Sequence, residues 1–467
     1  MNHFKVFSHT KSKPLLLLAV ASLILSLIFF DAYIYDVLAY HGPFSIVATG
    51  IERFNHFKLD NFFLQRYNGF APLWRFTLYP SFSLDLPRLM FIPNALAIIF
   101  ICWTIHKSTI LPWYLTICAI FVFPVSLFSF RSGYQDFFVG ATISSAIILL
   151  LHSIYERRII LTWISLIAAL LASFTKYQGF LQSILFIIIA FLALLASNQF
   201  MKNDAKFTKN FLIAFVLGFL FISSHSIYNL HVYSNPFYPI EVGPFHGPEG
   251  NYTSAPTYVA LVYPFHSLFN HFFSASELDW LFRGVVPNYG IDMARSQTQY
   301  GGLLDPVPEV GLIRTGGTYG PAYLFIFIVF ISGLYQKLNL FRVSKSLDKN
   351  NFVFLMLSLY IMFASFLPQS HELRYYLAPL MLMSISSISY MYGADYKQIA
   401  IVAVIFFMSI SLAINFVQPL HSTFKHGLGY AVNYPSRDLP RVQDCVGASE
   451  FNDQARRFAC LLILNRN

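Results

Sequence analysis

Charged residues are scarce in this chain. Aspartate, glutamate, lysine and arginine make up only 11% of its 467 residues, whereas hydrophobic residues make up 56%. A soluble domain typically carries about a quarter charged residues, so this composition excludes an ordinary soluble globular protein. The formal net charge of +9 does not indicate a nucleic-acid partner, because the basic residues are distributed as membrane topology requires.

Cysteines and the common catalytic signatures are also few. Cys102 and Cys118 lie inside apolar runs, and Cys445 and Cys460 lie near the C-terminus. An oxidising compartment would allow the second pair to form a disulfide, and the sequence leaves this open. The sequence contains no CxxC, HExxH or Walker-type glycine-rich loop, so the usual zinc and nucleotide-binding motifs are missing.

Long apolar runs recur along nearly the whole chain. A helix of about 20 apolar residues crosses the roughly 30 Å of hydrocarbon in a bilayer, and a backbone in hydrocarbon has to satisfy its own hydrogen bonds. The sequence therefore predicts an all-α polytopic membrane protein with about eleven transmembrane helices. The predicted spans are residues 15–30, 89–105, 110–130, 137–154, 159–174, 180–196, 211–228, 319–334, 352–367, 375–391 and 399–417.

The basic residues predict the orientation. With the N-terminus in the cytoplasm, fourteen basic residues and four acidic ones fall in cytoplasmic segments, in agreement with the positive-inside rule. The short cytoplasmic loops and the lack of an organelle signal favour a bacterial inner membrane. The basic residues are Lys5, Lys11, Lys13, Lys107, Arg157, Arg158, Lys202, Lys206, Lys209, Lys337, Arg342, Lys345, Lys349 and Lys397, and the acidic residues are Glu156, Asp204, Asp348 and Asp395.

Three long segments are predicted to be external. Residues 1–417 form one membrane domain with external loops at 32–88, called the first loop below, and 229–318, and residues 418–467 form an external tail. Both loops are too rich in aromatic residues, leucine and proline for disordered linkers. We expect interfacial amphipathic helices in these loops, at residues 44–51 and 258–273.

Ionisable residues cluster beside helix ends on this external side. A carboxylate next to cations provides a base for an acceptor hydroxyl and charges that stabilise a leaving phosphate. Any one of these residues could be an ordinary solvated loop charge. The prediction of a site therefore rests on their lying together on the same side of the membrane. The residues are Asp31, Asp36, Arg131, Asp136, Lys176, His371, Glu372 and Arg374.

Several motifs containing these residues resemble those of the GT-C superfamily, the multi-spanning glycosyltransferases that use polyprenyl-phosphate-linked sugars. The first is Asp36-Val37-Leu38-Ala39-Tyr40-His41-Gly42-Pro43, similar to the acidic first-loop motif, and the second is Arg131-Ser132-Gly133-Tyr134-Gln135-Asp136. Residues 174–179, 235–239, 316–321 and 374–379 follow in the family's order. The chain lacks the Asp-Glu pair of protein mannosyltransferases and the WWDYG-like motif of oligosaccharyltransferases, which disfavours a protein acceptor.

The resemblance implies a GT-C-like fold and an inverting transfer of sugar from a polyprenyl-phosphate donor to a lipid-linked or cell-surface glycan acceptor. It implies no obligatory cofactor, although an acid placed like Asp136 binds a divalent cation in some members. A polysaccharide polymerase or ligase that uses polyprenyl-diphosphate glycans and a transporter of lipid-linked sugar are the alternatives. The implied catalytic residues are Asp36, with Asp31 as its rival, and Asp136, and the implied substrate-binding residues are Tyr40, His41, Arg131, Lys176, Tyr177, His371, Arg374 and Tyr375.

The remaining histidines are not predicted to be functional. His152 and His225 lie on apolar helical faces, where a hydrogen-bonded core residue is the more common case. His246, His266 and His271 have no recognisable metal-ligand spacing. The sequence therefore predicts no zinc site.

Overall fold

The computed structural model describes most of the helical bundle. The described residues are 41–51, 54, 57–84, 87–109, 111–131, 135–200, 204–239, 244–247, 322–344, 349–365, 367, 376–393, 396–426, 458 and 460. These residues are mostly helical and contain no β-strand. The all-α prediction is confirmed for this part of the chain.

Fifteen α-helices lie within the described ranges, and a 3₁₀ turn at Pro87–Phe91 precedes the fifth. The first four belong to the first loop, and the others form the bundle. The helices are α1 (Gly42–Thr49), α2 (Asn61–Gly69), α3 (Leu73–Thr77), α4 (Tyr79–Ser83), α5 (Ile92–Ser108), α6 (Trp113–Phe121), α7 (Pro124–Arg131), α8 (Asp136–Glu156), α9 (Ile159–Ser173), α10 (Tyr177–Phe200), α11 (Ala205–Tyr233), α12 (Ala322–Ser344), α13 (Lys349–Ala364), α14 (Leu377–Gly393) and α15 (Lys397–His426).

Among the described residues, five helices are long and apolar enough to cross a membrane. They cover Leu89–Ser108, Asp136–Glu156, Tyr177–Ser197, Ala205–Tyr233 and Phe325–Val343. Three shorter helices, Ile159–Ser173, Asn351–Ala364 and Lys397–Leu412, are also apolar. This part of the chain has the character of a membrane protein. The count of about eleven spans and the GT-C arrangement remain predictions, and the first predicted span, residues 15–30, lies outside the described residues.

One predicted span is broken. Residues 110–130 were expected to form a single helix, but α6 ends at Phe121 and α7 begins at Pro124. Proline has no amide hydrogen, and its ring clashes with the preceding turn of a helix. The prediction of one continuous helix was therefore wrong at this position.

Helix α8 lies at the centre of the bundle. It is buried along almost its entire length and packs against α5, α9, α10 and α14. Small residues allow the close approach of α14: a Cβ atom added to Gly140 would lie 2.8 Å from the Leu377 Cβ atom. The Ser144 hydroxyl donates a hydrogen bond to the Ala378 carbonyl oxygen at 3.3 Å. Small and hydroxyl-bearing residues are common where membrane helices pack closely.

The antiparallel order of α8, α9 and α10 defines two ends of the bundle. Helix α8 runs from Asp136 to Glu156, α9 returns to Ser173, and α10 begins again at Tyr177. The start of α8 and the turn between α9 and α10 therefore lie at the same end, called the Asp136 end below. At the opposite end, the Arg157 guanidinium lies 5.4 Å from the centre of the Phe207 ring.

The first loop forms a second apolar core. Helix α1 confirms the helix predicted near residues 44–51, and its residues 42–46 are buried in protein; its interfacial position stays a prediction. The other predicted interfacial helix, residues 258–273, lies outside the described residues. The buried members of this core are Phe44, Ile46, Phe54, Trp74, Leu78, Phe82, Met90, Phe91, Ala95 and Phe458.

Candidate functional site

A buried ion pair joins the start of α8 to the turn between α9 and α10. The Lys176 ammonium nitrogen donates to the Asp136 Oδ1 atom at 2.6 Å. The two side chains are only 11% and 2% exposed, respectively. Asp136 is the first residue of α8, and the positive end of the helix dipole favours a carboxylate at that position.

The second carboxylate oxygen of Asp136 is buried as well. Among the described residues, Asp136 Oδ2 has no hydrogen-bond partner. A buried acceptor without a partner is costly, typically by about 1–3 kcal/mol or more for a charged group. Such an atom is suited to accept a hydrogen bond from a hydroxyl group of a bound ligand.

Two further buried polar atoms belong to elements at the Asp136 end. Tyr177 begins α10, its ring packs against Phe237 at 5.7 Å between centroids, and its hydroxyl has no partner among the described residues. Trp74 in α3 is buried against Phe138 at 5.9 Å between ring centroids. The Trp74 indole nitrogen likewise has no partner among the described residues. This end of the bundle therefore offers both hydrogen-bond donors and acceptors beside an aromatic ring.

The first loop is bound to the bundle by backbone contacts. The Leu73 amide donates to the Phe174 carbonyl oxygen at 2.9 Å. The carbonyl oxygen of Gly69 accepts hydrogen bonds from His225 Nε2 at 2.8 Å and from the Asn229 side-chain amide at 3.0 Å. The prediction that His225 is a hydrogen-bonded residue is therefore confirmed. These bonds fix α2 and α3 next to the ends of α9 and α11.

Arg75 stabilises the bend between α2 and α3. Its guanidinium donates to the carbonyl oxygens of Tyr67 and Phe70 and lies 4.1 Å from the centre of the Tyr67 ring. Burial lowers the pKa of Arg75, and the contact with Tyr67 opposes this shift. Arg75 therefore stabilises the first loop through its Nη2 atom, which donates to two backbone carbonyl oxygens of that loop.

The end of α7 also reaches the Asp136 end. The side-chain amide of Asn94, near the start of α5, donates to the carbonyl oxygens of Ser129 and Phe130 at 3.2 Å each. Arg131 is the last residue of α7. Phe130 packs against Phe137 at 5.0 Å between ring centroids, so the end of α7 lies at the Asp136 end.

The predicted site residues are only partly within the described structure. Asp136 and Lys176 contact each other, and Tyr177 follows Lys176 directly. His41 is buried at the start of α1. Five residues of the predicted site, and the rival base Asp31, lie outside the described residues: Asp36, Tyr40, His371, Arg374 and Tyr375.

Several residues that shape this end were not predicted. A buried indole comes from Trp74. The carbonyl oxygen of Gly69 accepts a hydrogen bond from the side-chain amide of Asn229. The sequence around these residues does not identify them as part of a site, because a single tryptophan, glycine or asparagine forms no pattern of characteristic spacing. Lys176 was predicted as a phosphate-facing cation near the bilayer surface, and the structure adds a carboxylate partner and burial that the sequence did not indicate.

Known proteins provide no direct guide to this site. No protein-family model, curated protein or solved structure matches the chain significantly. Within the described residues, no group of three or more histidine, cysteine, aspartate or glutamate residues could hold a metal ion. The function therefore has to be inferred from the chemistry of the chain's own residues.

Proposed function

We propose that this chain is an inverting membrane glycosyltransferase of the GT-C type. It transfers a sugar from a polyprenyl phosphate to a lipid-linked or cell-surface glycan acceptor on the non-cytoplasmic face of a bacterial inner membrane. The observation that carries this proposal is the buried Asp136–Lys176 ion pair, which lies at the end of the bundle where the first loop is bound.

The proposed reaction is a single displacement. Asp36 takes the proton from an acceptor hydroxyl, and the acceptor oxygen forms a bond to the anomeric carbon of the sugar. The bond between that carbon and the phosphate oxygen breaks, and the phosphate leaves with the electron pair. Arg131 and Arg374 stabilise the charge that develops on the leaving phosphate, since a guanidinium forms bidentate contacts with phosphate.

The ion pair suits Asp136 for ordering the site rather than for proton transfer. Its Oδ1 atom is engaged by Lys176 at 2.6 Å, so the carboxylate holds the lysine in one place. The Oδ2 atom is buried and has no partner among the described residues, and in the proposed complex it accepts a hydrogen bond from a sugar hydroxyl. Lys176 then contributes a positioned positive charge near the leaving phosphate.

The position of the pair favours catalysis over transport. Transporters usually place ionisable residues beside helix breaks near the bilayer midplane, whereas the break between α6 and α7, at Val122 and Phe123, is apolar. Asp136 is the first residue of a helix of 21 residues that is long enough to span the membrane. The charges thus border one face of the bundle, where a lipid phosphate would lie.

The test uses the full-length protein in nanodiscs with a panel of polyprenyl-phosphate sugars and extracted envelope glycolipids. We expect release of polyprenyl phosphate and a matching mass increment on the acceptor. Asp36→Asn should bind the donor and transfer about a hundredfold to ten-thousandfold more slowly, because an amide cannot act as the base. Sugar that crosses the membrane without a covalent change would indicate a transporter instead.

Asp204→Asn provides a matched control. Asp204 caps α11 by accepting a hydrogen bond from the Phe207 amide at 3.0 Å, at the end opposite to Asp136. Asparagine caps a helix about as well as aspartate, so this variant should transfer sugar normally. Near-normal transfer by Asp36→Asn would exclude Asp36 as the base.

A further inference from the structure

The C-terminal tail contributes a residue to the core of the first loop. The Phe458 ring is fully buried among three aromatic rings from that loop. Its centroid lies 6.2 Å from Phe54, 5.5 Å from Phe57 and 5.8 Å from Phe82. Edge-to-face and tilted pairs at these distances stabilise beyond the area that they bury.

The same ring lies directly against Gly42. A Cβ atom added to Gly42 would lie 2.5 Å from Phe458 Cε1 and 2.9 Å from Phe82 Cζ. Any side chain at Gly42 would therefore have to displace the Phe458 ring. Gly42 follows His41 in the motif that begins at Asp36, so the tail residue is in contact with the proposed catalytic segment.

A disulfide lies next to this contact. Cys460, two residues after Phe458, is buried and disulfide-bonded. Cys445, the other cysteine of the tail, lies outside the described residues, whereas Cys102 and Cys118 are free thiols. The prediction left open whether Cys460 is cross-linked, and the structure answers that it is. A disulfide is typical of a non-cytoplasmic compartment.

Helix α1 needs an external support. Within the described residues it spans eight residues, and the His41 side chain makes no capping hydrogen bond; isolated helices shorter than about 12 residues are marginal in water. Its buried residues 42–46 face the first-loop core. The position of its first turn, and of His41 before it, therefore depends on tertiary contacts such as that with Phe458.

We infer that Phe458, two residues before the disulfide-bonded Cys460, is a positioning residue that clamps the start of α1 and so holds the His41–Gly42 segment in place for the transfer reaction. The clamp depends only on the contacts given above. Its effect on catalysis rests on the proposed function.

The first test measures hydrogen exchange of α1 in the full-length protein in nanodiscs. Phe458→Ala should speed the exchange of α1 amides by about a hundredfold or more, since removal of a buried phenylalanine ring strongly shifts local opening. Cys460→Ser should also speed the exchange of α1 amides, and so should reduction of the disulfide by a phosphine. Unchanged exchange in Phe458→Ala would overturn the clamp.

A size-exchange experiment tests the contact itself. Gly42→Ala should speed the hydrogen exchange of α1 amides. Adding Phe458→Leu should slow this exchange part of the way back toward the wild-type rate, because leucine lacks the ring atoms that the new methyl group contacts. Phe123→Leu is the matched control, since Phe123 is fully buried in the separate bundle core. It should not rescue Gly42→Ala, because distant sites act additively. The proposed contact would be contradicted if Phe123→Leu slowed the α1 exchange of the Gly42→Ala variant, or if Phe458→Leu failed to slow it.

The catalytic role is tested by kinetics. If Phe458 positions the reacting segment, Phe458→Leu should lower kcat with little change in the KM for the donor, and Phe123→Leu should change neither. A normal kcat in a Phe458→Leu variant with faster α1 exchange would refute the positioning role. If the wild-type protein transfers no sugar, the proposed function fails, and the exchange measurements still decide whether the clamp exists.

Discussion

The two charges of the Asp136–Lys176 pair lie close enough for strong attraction. At 2.6 Å, two unit charges attract each other by about 6 kcal/mol with an effective dielectric constant of about 20. Removing both ions from water costs several kcal/mol each, which offsets most of this attraction. The intact pair should therefore contribute little net stability, while loss of one partner leaves an uncompensated buried charge.

Lys176→Met and Asp136→Leu should each lower the free energy of unfolding by about 3–5 kcal/mol. The double variant should recover most of the loss, because an apolar pair of similar volume is often as stable as a buried ion pair. The assay is reversible unfolding in mixed detergent micelles, followed by tryptophan fluorescence. The double variant should fold yet transfer no sugar, since it offers neither the ordering carboxylate nor the cation.

The exposed pair at the other end of the bundle is the control. Arg158 lies 3.7 Å from Glu156, and its side chain is 62% exposed. Exposed ion pairs contribute about 1 kcal/mol or less, so Arg158→Met should be nearly neutral. A Lys176→Met variant as stable as the wild-type protein, or a double variant no more stable than the single ones, would refute the cost assigned to an unpaired buried charge.

Three further predictions concern topology, phosphate binding and the first loop. Reporter domains fused after Lys206 should be cytoplasmic and those fused after Lys425 external; a cytoplasmic tail would contradict the proposed orientation. Arg374→Ala should slow polyprenyl phosphate release, with poor rescue by Arg374→Lys if the contact is bidentate, and unchanged donor kinetics would remove Arg374 from the site. Gly69→Ala should release the first loop, because its new Cβ atom would lie 2.7 Å from the Tyr238 carbonyl oxygen; faster proteolysis of the loop measures this, and unchanged proteolysis would contradict it.

The contact between Phe458 and Gly42 also bears on topology. Two segments that touch at one end of a bundle lie on the same side of the membrane, so the chain between them crosses it an even number of times. Ten spans are predicted between the first loop and the tail, which satisfies this condition. The packing of Phe458 is thus compatible with the predicted spans, and the orientation and the number of spans stay predictions.

Local patterns account for much of what could be predicted. Apolar length predicts where α8, α10 and α11 lie, because a helix in lipid makes its hydrogen bonds within its own segment. The break at Pro124 is equally local, and the effect of proline would have revealed it. The burial of residues 42–46 in protein could not be predicted, because an apolar face has the same pattern whether lipid or protein covers it.

The sequence by itself determined the membrane character of the chain, the approximate positions of its helices and the place of Asp136 at a helix start. Only the tertiary structure decided that Lys176 pairs with Asp136 across 40 residues of sequence, that Gly69 is held by Asn229, and that Phe458 fills the first loop. The physical reason is that hydropathy and spacing indicate only whether each face of a segment suits an apolar or an aqueous environment. Which distant side chains meet depends on how the helices pack against one another, and every helix of similar apolar pattern satisfies the bilayer equally well.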